Sequence, residues 1–260
     1  MSDKLNIGYI QTPLHWENIE ANLAMLEEKV WQTDQSMDVI VLPEMFSTGF
    51  SMNAKVLAEP MKSKTFRWMK QIAAQKKSLV IGSYILKDGN TYRNRCFMVF
   101  PDGNFDYYDK RHLFSLAGED ESYIAGDARV VTLWKGWKIF PLICYDLRFP
   151  VWSRSINYEY DLMVCIANWP KPRINAWDTL LQARAIENQC YVVGVNRTGT
   201  DGYNAEYNGH SAVIDYLGKY IEEPTESDDS IKVTTVAKEP MTNFRQKYNF
   251  QKEADQFTIL

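Results

Sequence analysis

A chain of 260 residues has room for one large domain or two small ones. Single cores stay viable to about 250–300 residues, so one compact domain over 1–260 is expected. With 45% hydrophobic and 13% aromatic residues, the chain carries enough apolar surface to offset its ordering entropy, which excludes disorder as the dominant state. The 29 basic against 33 acidic side chains give a net charge of −4, so no strong positive field draws phosphate backbones or anionic lipid. Neither nucleic acid nor a membrane is an expected partner.

Residues 5–11 form a short apolar run, and Ile19, Leu23, Leu26 and Val30 then recur as one stripe of a helix. Residues 38–42 (DVIVL) carry an aliphatic run closed by Pro43, which suits a strand buried on both faces and ending at a loop. A helix over 66–76 and a strand over 78–85 follow, then an Asp88-Gly89-Asn90 turn into a strand at 91–100 and a second turn at 101–104. Between 110 and 127 the periodicity fails, and a loop of that length inside a compact domain marks a place to look for a site. Residues 130–134 and 137–143 read as a hairpin whose second strand runs into Cys144-Tyr145-Asp146. Next come a helix at 149–157, a buried strand at 161–167, a helix at 176–188 and a strand at 190–195. A hairpin of 211–216 with 220–222, a polar loop at 226–230, a last strand at 231–237, and a short helix and tail complete the chain. Helices interleaved with buried strands call for sheets covered by helices on their outer faces.

The four cysteines Cys96, Cys144, Cys165 and Cys190 form no CxxC pair, and His15, His112 and His210 show no zinc spacing. Neither disulfides nor a metal or other cofactor is expected. Residues 1–6, MSDKLN, do not read as a leader, and the longest apolar stretches are strand-sized, so the expected compartment is the cytosol.

Three strings carry chemistry: Leu42-Pro43-Glu44 at a strand end, residues 108–114 (YDKRHLF) entering the long loop, and residues 143–150 (ICYDLRFP) at a strand-to-helix turn. Singly, each has an ordinary reading: a Cys closing a strand as a small buried hydrophobe, a Glu after Pro as a turn residue, a Lys beside Arg as a solvated charge. Together the chain resembles the nitrilase superfamily of carbon–nitrogen hydrolases, whose catalytic Glu, Lys and Cys occur in this order, with spacings that agree with the 66 and then 34 residues here. The resemblance covers nearly the whole chain and is strongest to the bacterial omega-amidase branch, through CYDLRFPVWSR, ANWP and RAIENQ. It implies an α/β fold, a four-layer α-β-β-α sandwich, and a homodimer. It also implies a second glutamate on the loop after the lysine, for which Glu119 is the match.

The chemistry suits those residues. An amide is a poor electrophile, so its hydrolysis calls for a strong nucleophile, a proton shuttle and a positive group where the oxyanion develops. Cys144, Glu44 and Lys110 supply the three. A helix after Cys144 and the nearby Lys110 are expected to lower the thiol pKa, and the backbone N–H of Tyr145 to act as a second oxyanion donor. A Cys144 dyad with His112 or His210 is the alternative nucleophile chemistry, but it leaves the Glu, Lys and Cys pattern without a purpose.

An omega-amidase cleaves the side-chain amide of a small acid such as alpha-ketoglutaramate, whose far carboxylate needs a cationic anchor. Arg148, Arg154, Arg173 and Lys171 are candidates, although Arg148 could equally pair with Asp146 or Glu187. By resemblance Trp169 walls the pocket, and Phe46, close after Glu44, has the same standing. Two other readings stand beside this one: the same residues acting on another small amide or nitrile, such as a carbamoyl amine or deaminated glutathione, and an inactive binding or scaffold protein of the same fold.

Overall fold

The computed structural model describes residues 3–259. Strand Lys4–Gln11 alternates its apolar side chains: Leu5, Ile7 and Tyr9 point to one face and Ile10 to the other. Strands Val39–Val41, Leu79–Asp88 and Thr91–Val99 repeat the pattern, with Val39, Val41, Leu79, Ile81, Cys96 and Met98 on the first face and Ile40, Val80, Phe97 and Val99 on the second. Both faces are apolar because both are covered, which is why these stretches read as continuous runs rather than alternating ones. Lys4–Gln11, Val39–Val41 and Leu79–Asp88 pair in parallel, Thr91–Val99 and Phe105–Asp109 add antiparallel strands, and Ser230–Ala237 returns to pair with Lys4–Gln11.

A second sheet is built around the parallel strands Trp137–Ile143, Leu162–Ala167 and Tyr191–Asn196, flanked by Thr132–Trp134, Ala212–Ile214 and Tyr220–Glu222. The inner faces of the two sheets share one core, in which Ile7, Val41 and Ile81 join Ile139, Val164 and Val193. Helices Ile19–Gln32 and Lys64–Lys76 cover the outside of the first sheet with Leu23, Leu26, Val30, Phe66, Met69 and Ile72. Helix Ile174–Asn188 covers the second sheet with Trp177, Leu181 and Ala185, and Lys238–Lys247 adds Met241. The layers therefore run helix, sheet, sheet, helix, as expected.

Two local expectations are corrected. The helix expected over 149–157 is the four-residue Pro150–Ser153, preceded by a 3-10 turn, Cys144–Arg148. Pro150 opens that helix, where its missing N–H costs nothing, and Asn157 and Tyr158, both at positive φ, lie beyond its end. The aperiodic 110–127 segment contains the 3-10 turn Ser115–Ala117 and the short helix Glu119–Ser122, too brief to show a period. Strands Thr198–Thr200 and Glu206–Asn208 form a small hairpin that the sequence reading passed over.

Candidate active site

The site lies where parallel strands of both sheets end, the edge at which open α/β sheets bind ligands. Val39–Val41 leads into Glu44, Trp137–Ile143 into Cys144, and Leu162–Ala167 into Asn168. Lys110 follows Phe105–Asp109 on the first sheet. Past Glu44 the chain is pinned by Met45 N–H donating to Ser83 Oγ (2.8 Å) and Phe46 N–H to the Ser83 carbonyl (3.0 Å).

Four ionisable side chains meet here. Lys110 Nζ donates to Glu44 Oε1 at 2.9 Å and to both oxygens of Glu119 at 3.0 and 2.9 Å. Glu44, Lys110 and Glu119 are at most 1% exposed, a burial that charged groups tolerate only when paired. Asn94 Nδ2 bridges Glu44 (2.8 Å) and Glu119 (3.3 Å). Phe114 N–H donates to Glu119 Oε2 at 2.6 Å. Asn168 holds Glu44 from the other sheet, its N–H on Oε2 at 2.8 Å and its Nδ2 on the Glu44 carbonyl at 2.7 Å. Cys144 Sγ lies 3.8 Å from the Asn168 carbonyl and, unlike the other three, is only partly buried.

Burial works against the Lys110 ammonium, but Glu119 and then Glu44 outweigh it and hold its pKa well above the usual lysine range. Burial raises the Glu119 pKa, and Glu44 adds to this against the pull of Lys110. The Cys144 thiol is raised well above an ordinary cysteine, by burial first and by Glu44 next, with Lys110 opposing. The expected depression of the thiol pKa is thus reversed. The element behind it is a five-residue 3-10 turn, a short dipole against desolvation and a buried carboxylate.

Above the sulfur opens a cavity of about 500 Å³ lined by Phe50, Phe114, Tyr145, Trp169, Tyr203 and Tyr207, with Arg148 and Arg173 among them. Arg148 stacks over Trp169 at 4.8 Å and Arg173 over Phe114 at 5.2 Å. Neither guanidinium forms an ion pair among the described residues.

The model of the carbon-nitrogen hydrolase family matches residues 6–246. The chain belongs to the carbon-nitrogen hydrolase family. Omega-amidase YafV of Yersinia enterocolitica is 42% identical over 257 residues, 98% of this chain and 99% of that protein. The 2-oxoglutaramate amidase of Bacillus subtilis is 33% identical over 85% of this chain and 86% of that one. Among solved structures, a CN-hydrolase superfamily protein of Xanthomonas campestris with an arsenic adduct in its active site superposes at TM-score 0.97, with 37% identity over 100% of both chains. Saccharomyces cerevisiae Nit3, a member of branch 10 of the nitrilase superfamily, gives TM-score 0.84 at 25% identity over 95% of each chain.

In this carbon-nitrogen hydrolase, Glu44, Lys110, Glu119 and Cys144 come together, and Tyr145, Arg148 and Trp169 line the cavity. Phe46 is a correction. Its ring is fully buried in the outer core, 5.7 Å from Trp68 and against the Cα of Gly82, while Phe50 takes the cavity wall. Arg148 pairs with neither Asp146, which is held by Tyr108 and His112, nor Glu187, which Arg184 holds at 3.0 Å. Arg154 turns to the Glu187 carbonyl, and Lys171 sits 3.9 Å from Glu206, so neither lines this cavity. The histidines are engaged elsewhere: His112 Nδ1 with Asp146 at 2.8 Å and His210 with Asp178 at 2.9 Å. Asn94 and Asn168 were not singled out. Asn168 carried a signal, a polar residue closing an aliphatic strand as Glu44 and Cys144 do; Asn94 carried none beyond being polar within a strand.

Proposed function

We propose that the protein is an omega-amidase, hydrolysing the terminal amide of small dicarboxylic acid monoamides such as alpha-ketoglutaramate to acid and ammonia. The observation that carries the reading is Cys144, a partly buried residue in the lining of a cavity whose walls hold two guanidiniums free of carboxylates. Arg148 and Arg173 offer forked donors to the far carboxylate. The omega-amidase and 2-oxoglutaramate amidase names of relatives aligned along most of the chain agree with that substrate class.

In this mechanism Glu44 takes the thiol proton as sulfur attacks the amide carbon, and a thiol pKa raised by burial and by Glu44 agrees with a proton held on sulfur beforehand. The carbonyl oxygen becomes an oxyanion, met by the Lys110 ammonium and by the N–H of Tyr145, which lies in the first turn after Cys144, where N–H groups lack an acceptor inside the helix. The tetrahedral adduct collapses, the C–N bond breaks, and Glu44 returns the proton to the departing ammonia. A thioester on Cys144 remains. Water then attacks it with Glu44 as base, breaking the C–S bond and releasing acid and thiol. Glu119 keeps Lys110 charged and aimed.

Purified protein should release ammonia from alpha-ketoglutaramate and from succinamate, and Cys144→Ala should abolish release without lowering the melting temperature. Turnover that survives the substitution rejects the mechanism. Cavity size supports a second reading: about 500 Å³ with six aromatic walls leaves room for a longer amide such as deaminated glutathione, and a panel ranked by kcat/KM decides between them. An inactive scaffold role is disfavoured by the intact Glu44, Lys110, Glu119 and Cys144 group, since burying ionisable side chains without a use is costly.

We also propose a homodimer in a reducing, cytoplasmic setting. Support for the dimer comes from exposed Val151, Ile156, Ile186 and Phe250 on segments tied together by Arg154 to the Glu187 carbonyl and Gln251 to the Ser155 carbonyl. Four free cysteines agree with the reducing setting.

A further inference from the structure

Between the arm that carries Lys110 and the turn that carries Cys144 lies a buried carboxylate that the mechanism leaves unused. Asp146 is fully buried and accepts four hydrogen bonds. Its Oδ2 takes Tyr108 Oη–H at 2.8 Å and Ile143 N–H at 3.1 Å; its Oδ1 takes His112 N–H at 2.9 Å and faces His112 Nδ1 at 2.8 Å. The donors are placed tellingly. Tyr108 and His112 stand two residues to either side of Lys110, and Ile143 directly precedes Cys144.

Further contacts hold the donors themselves. Tyr108 Oη accepts from Trp152 Nε1 at 3.0 Å and from Arg111 N–H at 3.3 Å. The His112 ring lies flat on Phe149, 3.7 Å between centroids and 5° between planes. Cys144 itself sits at φ +46°, a left-handed conformation a side-chain-bearing residue keeps only when its surroundings impose it. Its neighbour on one side is held by the Asp146 carboxylate, and Asp146 lies two residues beyond it on the other.

We propose that Asp146 is a positioning residue for the amidase reaction: its carboxylate locks the Cys144 turn in its left-handed backbone and clamps it to the Lys110 arm through Tyr108 and His112. Among the described residues no other side chain ties the two arms with as many bonds. A carboxylate is needed because an amide oxygen accepts half as many hydrogen bonds and its NH2 accepts none. The inference rests on the amidase reading for its kinetic readout only.

The test uses Asp146→Asn together with two gentler variants, Tyr108→Phe and His112→Phe, the last keeping an aromatic ring against Phe149. Turnover of succinamate, melting temperature, and the rate of Cys144 alkylation by iodoacetamide are measured on each full chain. Asp146→Asn should lower kcat at least thirtyfold, and each gentler variant three- to tenfold, with KM within twofold of wild type. Alkylation should slow by at least threefold in every variant, because sulfur and ammonium no longer hold their spacing. The combined Tyr108→Phe and His112→Phe effects should fall short of the product of the single ones, as expected for two donors on one carboxylate. Unchanged kcat and alkylation in the folded Tyr108→Phe and His112→Phe variants would overturn the proposal, as would losses confined to melting temperature or KM. If wild type hydrolyses no monoamide, the amidase reading fails, and the alkylation rates alone still decide the role of Asp146.

Discussion

At Cys144 two opposed influences meet: burial and Glu44 hold the proton on sulfur, and Lys110 pulls it off. Alkylation by iodoacetamide should therefore be slow at neutral pH and keep climbing with pH past the ~8.5 of a free cysteine, since the raised pKa leaves little thiolate below it. Glu44→Gln removes the second cause of the upward shift and leaves Lys110 in place. The thiolate fraction rises, so alkylation should be as fast as or faster than in wild type, while ammonia release falls by ~10²–10⁴ for want of the proton shuttle. Parallel loss of both would place Glu44 in structure rather than chemistry. The two cavity arginines make a separate claim. On the proposed anchoring of the far carboxylate, Arg148→Met and Arg173→Met would each remove a hydrogen bond to a charged group, worth ~1.5–3 kcal/mol. KM for succinamate should rise about tenfold or more with kcat little changed, whereas an uncharged amide should lose nothing.

Among elements, the segment from 110 to 127 does the most with the least regular structure. Gly126 N–H donates to the Lys110 carbonyl at 2.9 Å, and a Cβ there would come within 2.4 Å of the Asp109 carbonyl oxygen. That neighbour is backbone and cannot rotate aside. Gly126→Ala should push the Lys110 arm outward and cut kcat by about an order of magnitude or more, read beside a melting curve that stays cooperative. Aperiodicity was itself the legible sign of this segment: its backbone serves Glu119 and Lys110 rather than a ladder. The strand ends were equally legible, because aliphatic runs broken by Pro43-Glu44 or by Cys144 announce where a sheet hands over to a site. What stayed hidden was short or borrowed. The helix after Cys144 lasts four residues, and the Thr198–Thr200 and Glu206–Asn208 hairpin that brings Tyr203 and Tyr207 to the cavity has strands of three residues each. Phe46 misled because closeness to Glu44 in sequence says nothing of which face a residue takes after Met45 turns the backbone at φ +45°.

Across the whole molecule, the sandwich brings groups from two sheets to one point: Glu44 and Lys110 from the first, Cys144 and Asn168 from the second. The shared core beneath them sets that alignment, and residues of both inner faces were visible in the sequence as apolar runs without their partners being visible. The exposed apolar residues around Ile186 and Phe250 make a prediction at this scale. Ile186→Glu combined with Phe250→Glu should shift the protein from dimer to monomer in analytical ultracentrifugation, and a wild type already monomeric at micromolar concentration contradicts the proposed homodimer. The central claim is a covalent one and is open to direct reading. Enzyme mixed with succinamate, quenched in acid within one turnover and examined by peptide mass spectrometry should carry a succinyl group on Cys144, absent from Cys144→Ala. Ammonia release with no acyl group on Cys144 at any quench time, or with the group on another residue, would contradict the account.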